Sequence, residues 1–309
     1  MGKILLFYKY VHLEMPGAIA KWQKKLCQDL GLTGRIIIAT EGINGTVGGS
    51  IEATQAYIDA MNAHENFKNI DFKTAEGNEN HFPRMRVVVK EEIVKLGIDP
   101  QKLTVDDGGK HLTPEEAHEL LNKKSDDLVI IDTRNNYESR IGTIPGSWCP
   151  DKKYFREFPE YIDERLEDLK DKTVLMFCTG GIRCERASGY VKNKGIAKEV
   201  YQIEGGIHRY IEKFPDGHFR GSNYVFDARV SHRVNNDILS TCDLCSIPCD
   251  YYINCINARC NKMFLGCDSC IKMYKECCSQ SCFDLVTQGK VNVRVKPARL
   301  TEISSQKQS

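Results

Sequence analysis

The chain has 309 residues, which is too long for one small domain, so two or three domains are expected. Hydrophobic residues make up 41% and charged residues 28% of it, a balance typical of folded domains with apolar cores rather than of disordered chains. The formal net charge of +1 gives no overall signal for nucleic-acid binding. The N-terminus does not read as a signal peptide, and no apolar run is long enough to span a membrane, so we expect a cytoplasmic protein without membrane contact.

Residues 1–97 are predicted to form a small α+β domain. An N-terminal strand is followed by a helical pattern with Pro16 near its start and Gly31 near its end. Two strand-like runs are then joined through Asn44-Gly45, a type I′ turn signal, and a second helix and a further strand, "MRVVVKEEIVKLG", follow. The order β-α-β-β-α-β predicts a ferredoxin-like (acylphosphatase-like) sandwich. No Gly-Lys-Ser/Thr follows the Gly-rich hairpin, which favours a plain hairpin over a phosphate cradle.

A linker is predicted over residues 98–110, and a second domain over residues 111–220. Thr113 and Glu116 form a capping-box pattern, with Pro114 in the first helical turn. Apolar strand-like runs, "DLVIIDTR", "KTVLMFC" and "AKEVYQIEGG", alternate with helical segments such as "YFREFPEYIDERLEDL" (residues 154–169), which predicts a doubly wound parallel sheet covered on both faces. Ligands of such sheets bind at the carboxyl ends of the strands, and Cys178 directly follows one strand.

The segment "CTGGIRCE" after that strand has the features of an activated sulfur nucleophile. Backbone N–H groups of the loop and of the following helix stabilise a thiolate, and Arg183 adds a cation for the sulfur or for an anionic substrate. A buried structural cysteine is the alternative for Cys178. Cys184 is either a resolving thiol or a helix residue that faces the sheet. The predicted active-site loop comprises Cys178, Thr179, Gly180, Gly181, Ile182 and Arg183.

Residues 221–287 are predicted to form a cysteine-rich module, and residues 288–309 a basic tail. The tail carries five Lys/Arg against one acid, so it either binds phosphates or is simply solvated. The CxxC spacings in the module favour zinc over iron–sulfur clusters or unliganded thiols. The candidate metal ligands are Cys242, Cys245, Cys249, Cys255, Cys260, Cys267, Cys270, Cys277, Cys278 and Cys282.

Residues 111–215 resemble a rhodanese domain. The similar motifs are "IIDTRNNYE", with Asp132 and Arg134 as supporting residues and Glu138 in a matching place, "IGTIPGSWCP", "CTGGIR" and "IEGGIHRY". The resemblance implies that Cys178 carries a persulfide held by loop amides. Related cysteine phosphatases place their arginine six residues after the cysteine, whereas Arg183 comes five residues after Cys178, as in the sulfur-handling loops.

Further motifs extend over nearly the whole chain, namely "EGINGT", "EIVKLG", "CTGGIRCE" and "YVFDARV" before a cysteine-rich end. Together they resemble the bacterial tRNA uridine hydroxylase family. This resemblance implies O2-dependent conversion of the wobble uridine to 5-hydroxyuridine, with Cys178 as the catalytic residue and the tRNA anticodon region as the partner. A persulfide would also need a donor, such as a cysteine desulfurase. The sequence carries no flavin, haem or nicotinamide signature.

Cys178 sulfur could assist hydroxylation by adding to C6 of uracil, because this would make C5 electron-rich toward an oxidant. This step is a hypothesis from the position of Cys178 and the family activity. A rhodanese-type sulfurtransferase that passes persulfide sulfur to an acceptor is the alternative enzyme. A noncatalytic, metal-dependent binding protein is the third interpretation, and the intact Cys178, Gly180-Gly181 and Arg183 weigh against it.

Overall fold

A computed structural model describes residues 2–77, 82–225 and 230–294 of the chain. Part of the "YVFDARV" motif and most of the basic tail lie outside these described residues. None of the helices within the described ranges combines the length and the apolar character that crossing a membrane requires.

The N-terminal domain is a five-stranded sheet in the order β4-β1-β3-β2-β5, with two helices on one face. The order β4-β1-β3-β2 is ferredoxin-like, as predicted. The predicted strand "MRVVVKEEIVKLG" is a strand only over Met85–Val89, and it is an additional strand, β5, which runs parallel to β2 at the sheet edge. The true fourth strand, β4, was missed because its sequence, "KTAEG", lacks an apolar alternation. The elements are β1 (Gly2–Tyr10), α1 (Pro16–Asp29), β2 (Thr33–Ala39), β3 (Gly42–Ser50), α2 (Ile51–Ala63), β4 (Lys73–Gly77) and β5 (Met85–Val89).

The turn predicted at Asn44-Gly45 is wrong, because both residues lie inside β3. The chain reverses instead at residues 40–41, between β2 and β3. Gly45 serves packing: a Cβ at this position would lie 2.4 Å from Cζ of Phe7, which fills the helix-covered face of the sheet. Asn44 lies on the opposite face, where its Nδ2 donates a hydrogen bond of 3.0 Å to the carbonyl of Ile93.

The central domain contains a four-stranded, all-parallel sheet in the order β6-β10-β9-β7, as the alternating pattern predicted. The predicted capping box is also present, since the Glu116 N–H donates to the Thr113 hydroxyl at 3.2 Å. The elements are β6 (Lys110–Leu112), α3 (Pro114–Asn122), β7 (Leu128–Asp132), α4 (Asn136–Ser139), β8 (Gly142–Thr143), α5 (Phe158–Asp163), β9 (Thr173–Phe177), α6 (Ile182–Asn193), β10 (Glu199–Ile203), α7 (Gly206–Lys213) and β11 (Arg220–Tyr224).

One long helix predicted over residues 154–169 is instead broken into three pieces. Only Phe158–Asp163 is α-helical, and short 3-10 turns flank it at Phe155–Glu157 and Glu167–Leu169. Pro159 occupies the first turn of α5, where its missing N–H leaves no hydrogen bond unmade. A proline in the interior of one continuous helix would have removed such a bond, so the chain starts a new helix there.

The segment between the two domains is packed, not loose. Arg186 of α6 is fully buried, and its Nη1 lies 2.5 Å from the carboxylate of Glu92. The same guanidinium donates to the carbonyls of Ile98 at 2.5 Å and of Leu103 at 3.2 Å. Because α6 begins at the Cys178 loop, this buried cluster holds the N-terminal domain against that loop.

The cysteine-rich module follows β11 and contains little regular structure. The short strand β12 pairs with β11, and β13 pairs with β14. Its apolar clusters are small and consist largely of cysteine side chains with a few aromatic and aliphatic residues. The remaining elements are β12 (Ser231–Arg233), β13 (Tyr252–Asn254), β14 (Met263–Leu265), α8 (Asp268–Met273) and α9 (Gln280–Thr287).

Candidate active site

Cys178 follows β9 directly, and its side chain is fully buried. The carbonyls of Cys178 and Thr179 accept hydrogen bonds from the N–H groups of Ile207 and His208 at the start of α7, at 2.8 and 3.1 Å. The N–H of Gly181 donates to the Cys178 Sγ at 3.1 Å, and the backbone N–H groups of Arg183 and Cys184 also face this sulfur. The sulfur therefore lies in a small cradle of backbone donors, as the glycine-rich loop predicted.

The Cys178 loop and the Gly205-Gly206 turn lie so close to each other that residues larger than glycine do not fit between them. Gly181 has φ +101°, and Gly206 has φ +69°. A Cβ on Gly206 would lie 2.6 Å from the N of Gly181 and 2.7 Å from the O of Cys178. Glycine is thus required at Gly206 both for the backbone angle and for the close approach that shapes the cradle.

The loop favours the thiolate form of Cys178. Burial by itself would raise the pKa of this thiol, but a hydrogen bond from Cys184, the charge of Arg183 and nearby backbone N–H groups lower it to about 5. Cys184 is also fully buried and contacts the Thr133 hydroxyl at 3.4 Å. Burial and the adjacent Cys178 sulfur raise the pKa of Cys184, so this thiol keeps its proton and can donate it to the thiolate.

Arg183 is held by a buried carboxylate. Its Nη1 and Nη2 lie 2.6 and 2.7 Å from the two carboxylate oxygens of Glu138, which also accepts a bond of 2.8 Å from the Thr179 hydroxyl. Burial would raise the pKa of Glu138, but the charge of Arg183 and these hydrogen bonds lower it. Of the two roles predicted for Arg183, stabilising the charged sulfur fits this geometry better than gripping a substrate anion, because its fork is already occupied.

Asp132 and Arg134 form a second buried pair beside the loop. Arg134 Nη2 lies 2.7 Å from Asp132 Oδ2 and donates to the Gly142 carbonyl at 2.5 Å. Thr143 adds a hydroxyl bond of 2.9 Å to Asp132. These contacts join the end of β7 to β8, so the pair supports the framework of the site rather than touching the Cys178 sulfur.

A cavity of about 1030 Å³ opens in front of the Cys178 loop. Thr179, Gly180, Ile182 and Arg183 line it from the central domain. The opposite wall comes from the N-terminal domain, a contribution that sequence reasoning missed because single-sequence patterns do not reveal which domains pack together. Two bonds join the walls: Tyr8 OH donates to Glu185 Oε1 at 2.9 Å, and Tyr10 OH donates to the Ile182 carbonyl at 3.4 Å. The residues of strands β1, β2 and β3 in this wall include Leu6, Tyr8, Arg35, Ile37, Asn44 and Thr46.

Eight of the ten candidate metal ligands form two groups of four, whose thiol sulfurs all lie within 4.8 Å of one another. Cys249 and Cys277 belong to neither group, although both are buried. Backbone N–H groups donate to sulfur in both groups, for example from Cys267 to Cys242 and from Cys278 to Cys255, each at 3.4 Å. The first group is Cys242, Cys245, Cys267 and Cys270, and the second is Cys255, Cys260, Cys278 and Cys282.

The lowered pKa of Cys178 gives a measurable prediction. We expect its thiolate to be present above about pH 5 and to be lost as the pH falls through that value. The ultraviolet thiolate absorbance of the wild type minus that of Cys178→Ser should follow this titration. Cys184→Ala should move the midpoint upward, toward the ordinary pKa of cysteine, because it removes a hydrogen-bond donor. An unchanged midpoint in Cys184→Ala would contradict the donor role.

Comparisons with known proteins agree with this architecture. Family models match over residues 2–93 ("UPF0176 acylphosphatase like domain"), 113–213 ("Rhodanese-like domain") and 220–283 ("Rhodanase C-terminal"). A tRNA uridine(34) hydroxylase of Corynebacterium urealyticum is 42% identical over 278 residues, which cover 87% of this chain and 93% of that protein. A tRNA uridine(34) hydroxylase of Corynebacterium diphtheriae is 40% identical over 305 residues, which cover 93% and 97%. Because identity at this level extends over nearly the full length of both relatives, the chain belongs to the tRNA uridine(34) hydroxylase family.

Proposed function

We propose that this protein hydroxylates uridine at position 34 of tRNA to 5-hydroxyuridine, with Cys178 as its catalytic residue. The main support is the near full-length similarity to relatives that carry this activity in their names. The site adds chemical support, since a cysteine with a pKa of about 5 lies in a cradle of N–H donors beside a cavity of about 1030 Å³. A tRNA substrate is met in the cytoplasm, so we propose this compartment.

A persulfide on Cys178 would bring a reactive sulfur closer to the cavity than the thiol itself. The Cys178 thiol is fully buried, whereas the outer sulfur of a persulfide extends about 2 Å further. The cradle of loop amides would then stabilise the anionic outer sulfur. Cys184 would act as a neutral hydrogen-bond donor to the inner sulfur, and its role as a resolving thiol remains the alternative. A cysteine desulfurase is a suitable class of persulfide donor.

The proposed chemistry begins when the outer sulfur adds to C6 of uracil and the C5=C6 electrons move onto the C4 carbonyl. C5 then bonds to one oxygen of O2 and, with a proton, forms a hydroperoxide. Two thiol equivalents cleave its O–O bond, which leaves a hydroxyl on C5 and releases water and a disulfide. Loss of the C5 proton expels the sulfur from C6 and restores the double bond. The balance requires uridine, O2 and two equivalents of a thiol reductant, and it yields 5-hydroxyuridine, water and a disulfide.

A rhodanese-type sulfurtransferase shares the loop but is the less favoured function. The persulfide cradle would serve either reaction, so the loop alone does not separate them. The hydroxylase is favoured because the similarity to the named hydroxylases also covers the N-terminal domain and the cysteine-rich end, which a sulfur-transfer loop does not require.

Nucleoside mass spectrometry of tRNA tests the proposed function. In cells that lack the protein and any redundant hydroxylation pathway, 5-hydroxyuridine and its derivatives should disappear from tRNA, and the wild-type gene should restore them. Restoration should require O2 in the growth medium. Unchanged 5-hydroxyuridine after deletion would exclude the proposed function.

We also propose that each group of four cysteines binds one zinc ion. Four thiolates around Zn²⁺ at about 2.3 Å lie about 3.8 Å from one another. The Cys245–Cys267 and Cys260–Cys278 sulfur pairs are each 3.6 Å apart, so the donor set suits the ion. Zinc would stabilise a module whose apolar clusters are small.

Elemental analysis tests this metal proposal. Protein purified under reducing, anaerobic conditions should contain two zinc ions per chain, one for each group. Cys245→Ser and Cys260→Ser should each lose about one of them, since each change removes one of four ligands. Cys249→Ala and Cys277→Ala are matched controls that should keep both ions. Iron with visible absorbance would favour clusters instead, and absence of any metal would contradict the proposal.

A further inference from the structure

The cavity wall opposite the Cys178 loop is the open face of the N-terminal sheet. Residues of neighbouring strands pair across it in two rows, Tyr8–Asn44–Ile37 and Leu6–Thr46–Arg35. Paired residues of adjacent strands point to the same face of a sheet, and all six of these residues line the cavity. The two helices cover only the other face, where Phe7, Ile36 and Ile38 are buried. This face of the sheet therefore forms the cavity wall that lies opposite the Cys178 loop.

The size of the cavity suits a nucleotide of a longer strand. Its volume of about 1030 Å³ slightly exceeds the range of about 300–1,000 Å³ that small-molecule pockets occupy. An enzyme that modifies a base takes that base into a pocket, and a single-stranded anticodon loop can offer one without breaking base pairs. Phe82, whose ring lies over Gly48 of the same face, adds an aromatic surface to the lining.

Asn44 is the residue best placed to read a uracil. It lies on β3, the central strand of the sheet, and its Nδ2 donates to the Ile93 carbonyl at 3.0 Å. That bond holds the amide in one orientation and leaves Oδ1 as an acceptor. Uracil presents an N3–H donor between two carbonyl groups, whereas N3 of cytosine is an acceptor. An acceptor at Asn44 would thus favour uracil over cytosine.

The cavity lining also carries exposed cations. Arg35 on β2 and Lys90 directly after β5 are both exposed, and no carboxylate of the described residues lies within ion-pairing distance of either. Of the two acids in the lining, Glu92 is bonded to Arg186, and only Glu91 is exposed. Cations beside an RNA-sized cavity match the phosphates that flank an inserted nucleotide.

We propose that the open face of the N-terminal sheet holds the target uracil over the Cys178 loop, with Asn44 selecting its N3–H edge and Arg35 and Lys90 binding the flanking phosphates. This inference rests on the proposed function, because it assigns how the same site recognises its RNA. It makes the N-terminal domain the source of base specificity and leaves the sulfur chemistry to the central domain.

Binding of two anticodon stem-loop RNAs, which differ only in U or C at position 34, tests this assignment by fluorescence anisotropy. The wild type should prefer the U34 RNA. Asn44→Ala should lose about tenfold of that preference, the value of one hydrogen bond of about 1.4 kcal/mol. Arg35→Ala and Lys90→Ala should each weaken the binding of both RNAs by the same factor. Each should also reduce the slope of log affinity against log salt by about 1.

Asn62→Ala and Lys24→Ala, both exposed positions on the helical side of the domain, are the matched controls and should behave as the wild type. Loss of U34 preference without a change in thermal unfolding separates base reading from a structural effect. If Asn44→Ala unfolds early, the salt slopes of the two cation variants decide the outcome. The inference would be overturned if Asn44→Ala kept the wild-type preference for U34 RNA and if Arg35→Ala and Lys90→Ala kept the wild-type salt slope. Absence of 5-hydroxyuridine formation by the wild type would instead refute the proposed function.

Discussion

Replacement of Cys178 by serine is expected to lower 5-hydroxyuridine in tRNA by more than about a thousandfold, to the background of cells without the protein. A serine hydroxyl cannot carry a persulfide. It also stays protonated at neutral pH, whereas the Cys178 thiol, with a pKa of about 5, is ionised there. Nucleoside mass spectrometry of a deletion strain complemented with each variant gives the measurement. The amounts of soluble protein must be equal in the compared strains.

Cys149→Ser is the matched control for this prediction. Cys149 is a partly buried free thiol of the same domain and contacts Thr143 instead of the active-site loop. Cells with this variant should retain wild-type levels of 5-hydroxyuridine. Full hydroxylation by Cys178→Ser would show that the sulfur is not the reacting atom, and the assignment of the site would be wrong.

Replacement of Glu138 by alanine is expected to lower the free energy of unfolding of the central domain by about 3–5 kcal/mol. The change leaves the Arg183 guanidinium buried without its carboxylate, and it also removes the partner of the Thr179 hydroxyl. Glu138→Gln should lower the free energy of unfolding by a smaller amount, because the amide keeps one acceptor oxygen. The loop should loosen in both variants, so hydroxylation should also fall.

Urea unfolding followed by tryptophan fluorescence measures this effect in one domain. The chain has two tryptophans, Trp22 and Trp148, so a Trp22→Phe background leaves Trp148 as the reporter of the central domain. Glu160→Ala is the control, because its ion pair with Lys152 is exposed and contributes less than about 1 kcal/mol. If Glu138→Ala and this control unfolded at the same urea midpoint, the stabilising role of the buried Arg183–Glu138 pair would be contradicted.

Local patterns predicted much of the central domain. Alternation of apolar runs with helices, the Thr113–Glu116 capping box and the glycine loop after "TVLMF" all depend on neighbours in sequence, and the structure has each of them. The backbone N–H donors near the Cys178 sulfur were predictable for the same reason. The N–H groups that surround the sulfur come from the residues that immediately follow it.

Other features depend on contacts that no local pattern carries. The Asn44-Gly45 pair has the composition of a turn, but packing of Phe7 against Gly45 and pairing of β3 with both β1 and β2 keep it in a strand. The division of the cysteines into two groups is similar: CxxC spacing predicted cysteine metal ligands, while Cys260 and Cys278 meet only through the folded module.

The sequence by itself indicated the hydroxylase family, through motifs that resemble that family. Its local patterns also predicted the glycine loop around Cys178, because strand ends, glycine loops and cap residues act over a few neighbouring positions. Tertiary structure alone decided what faces that sulfur. Arg186 binds Glu92 across the domain boundary, and Tyr8 reaches Glu185, 177 positions away in sequence. These contacts bring the open sheet face and Asn44 to the cavity, since burial of charge and hydrogen bonding between domains depend on distance in space and not on distance along the chain.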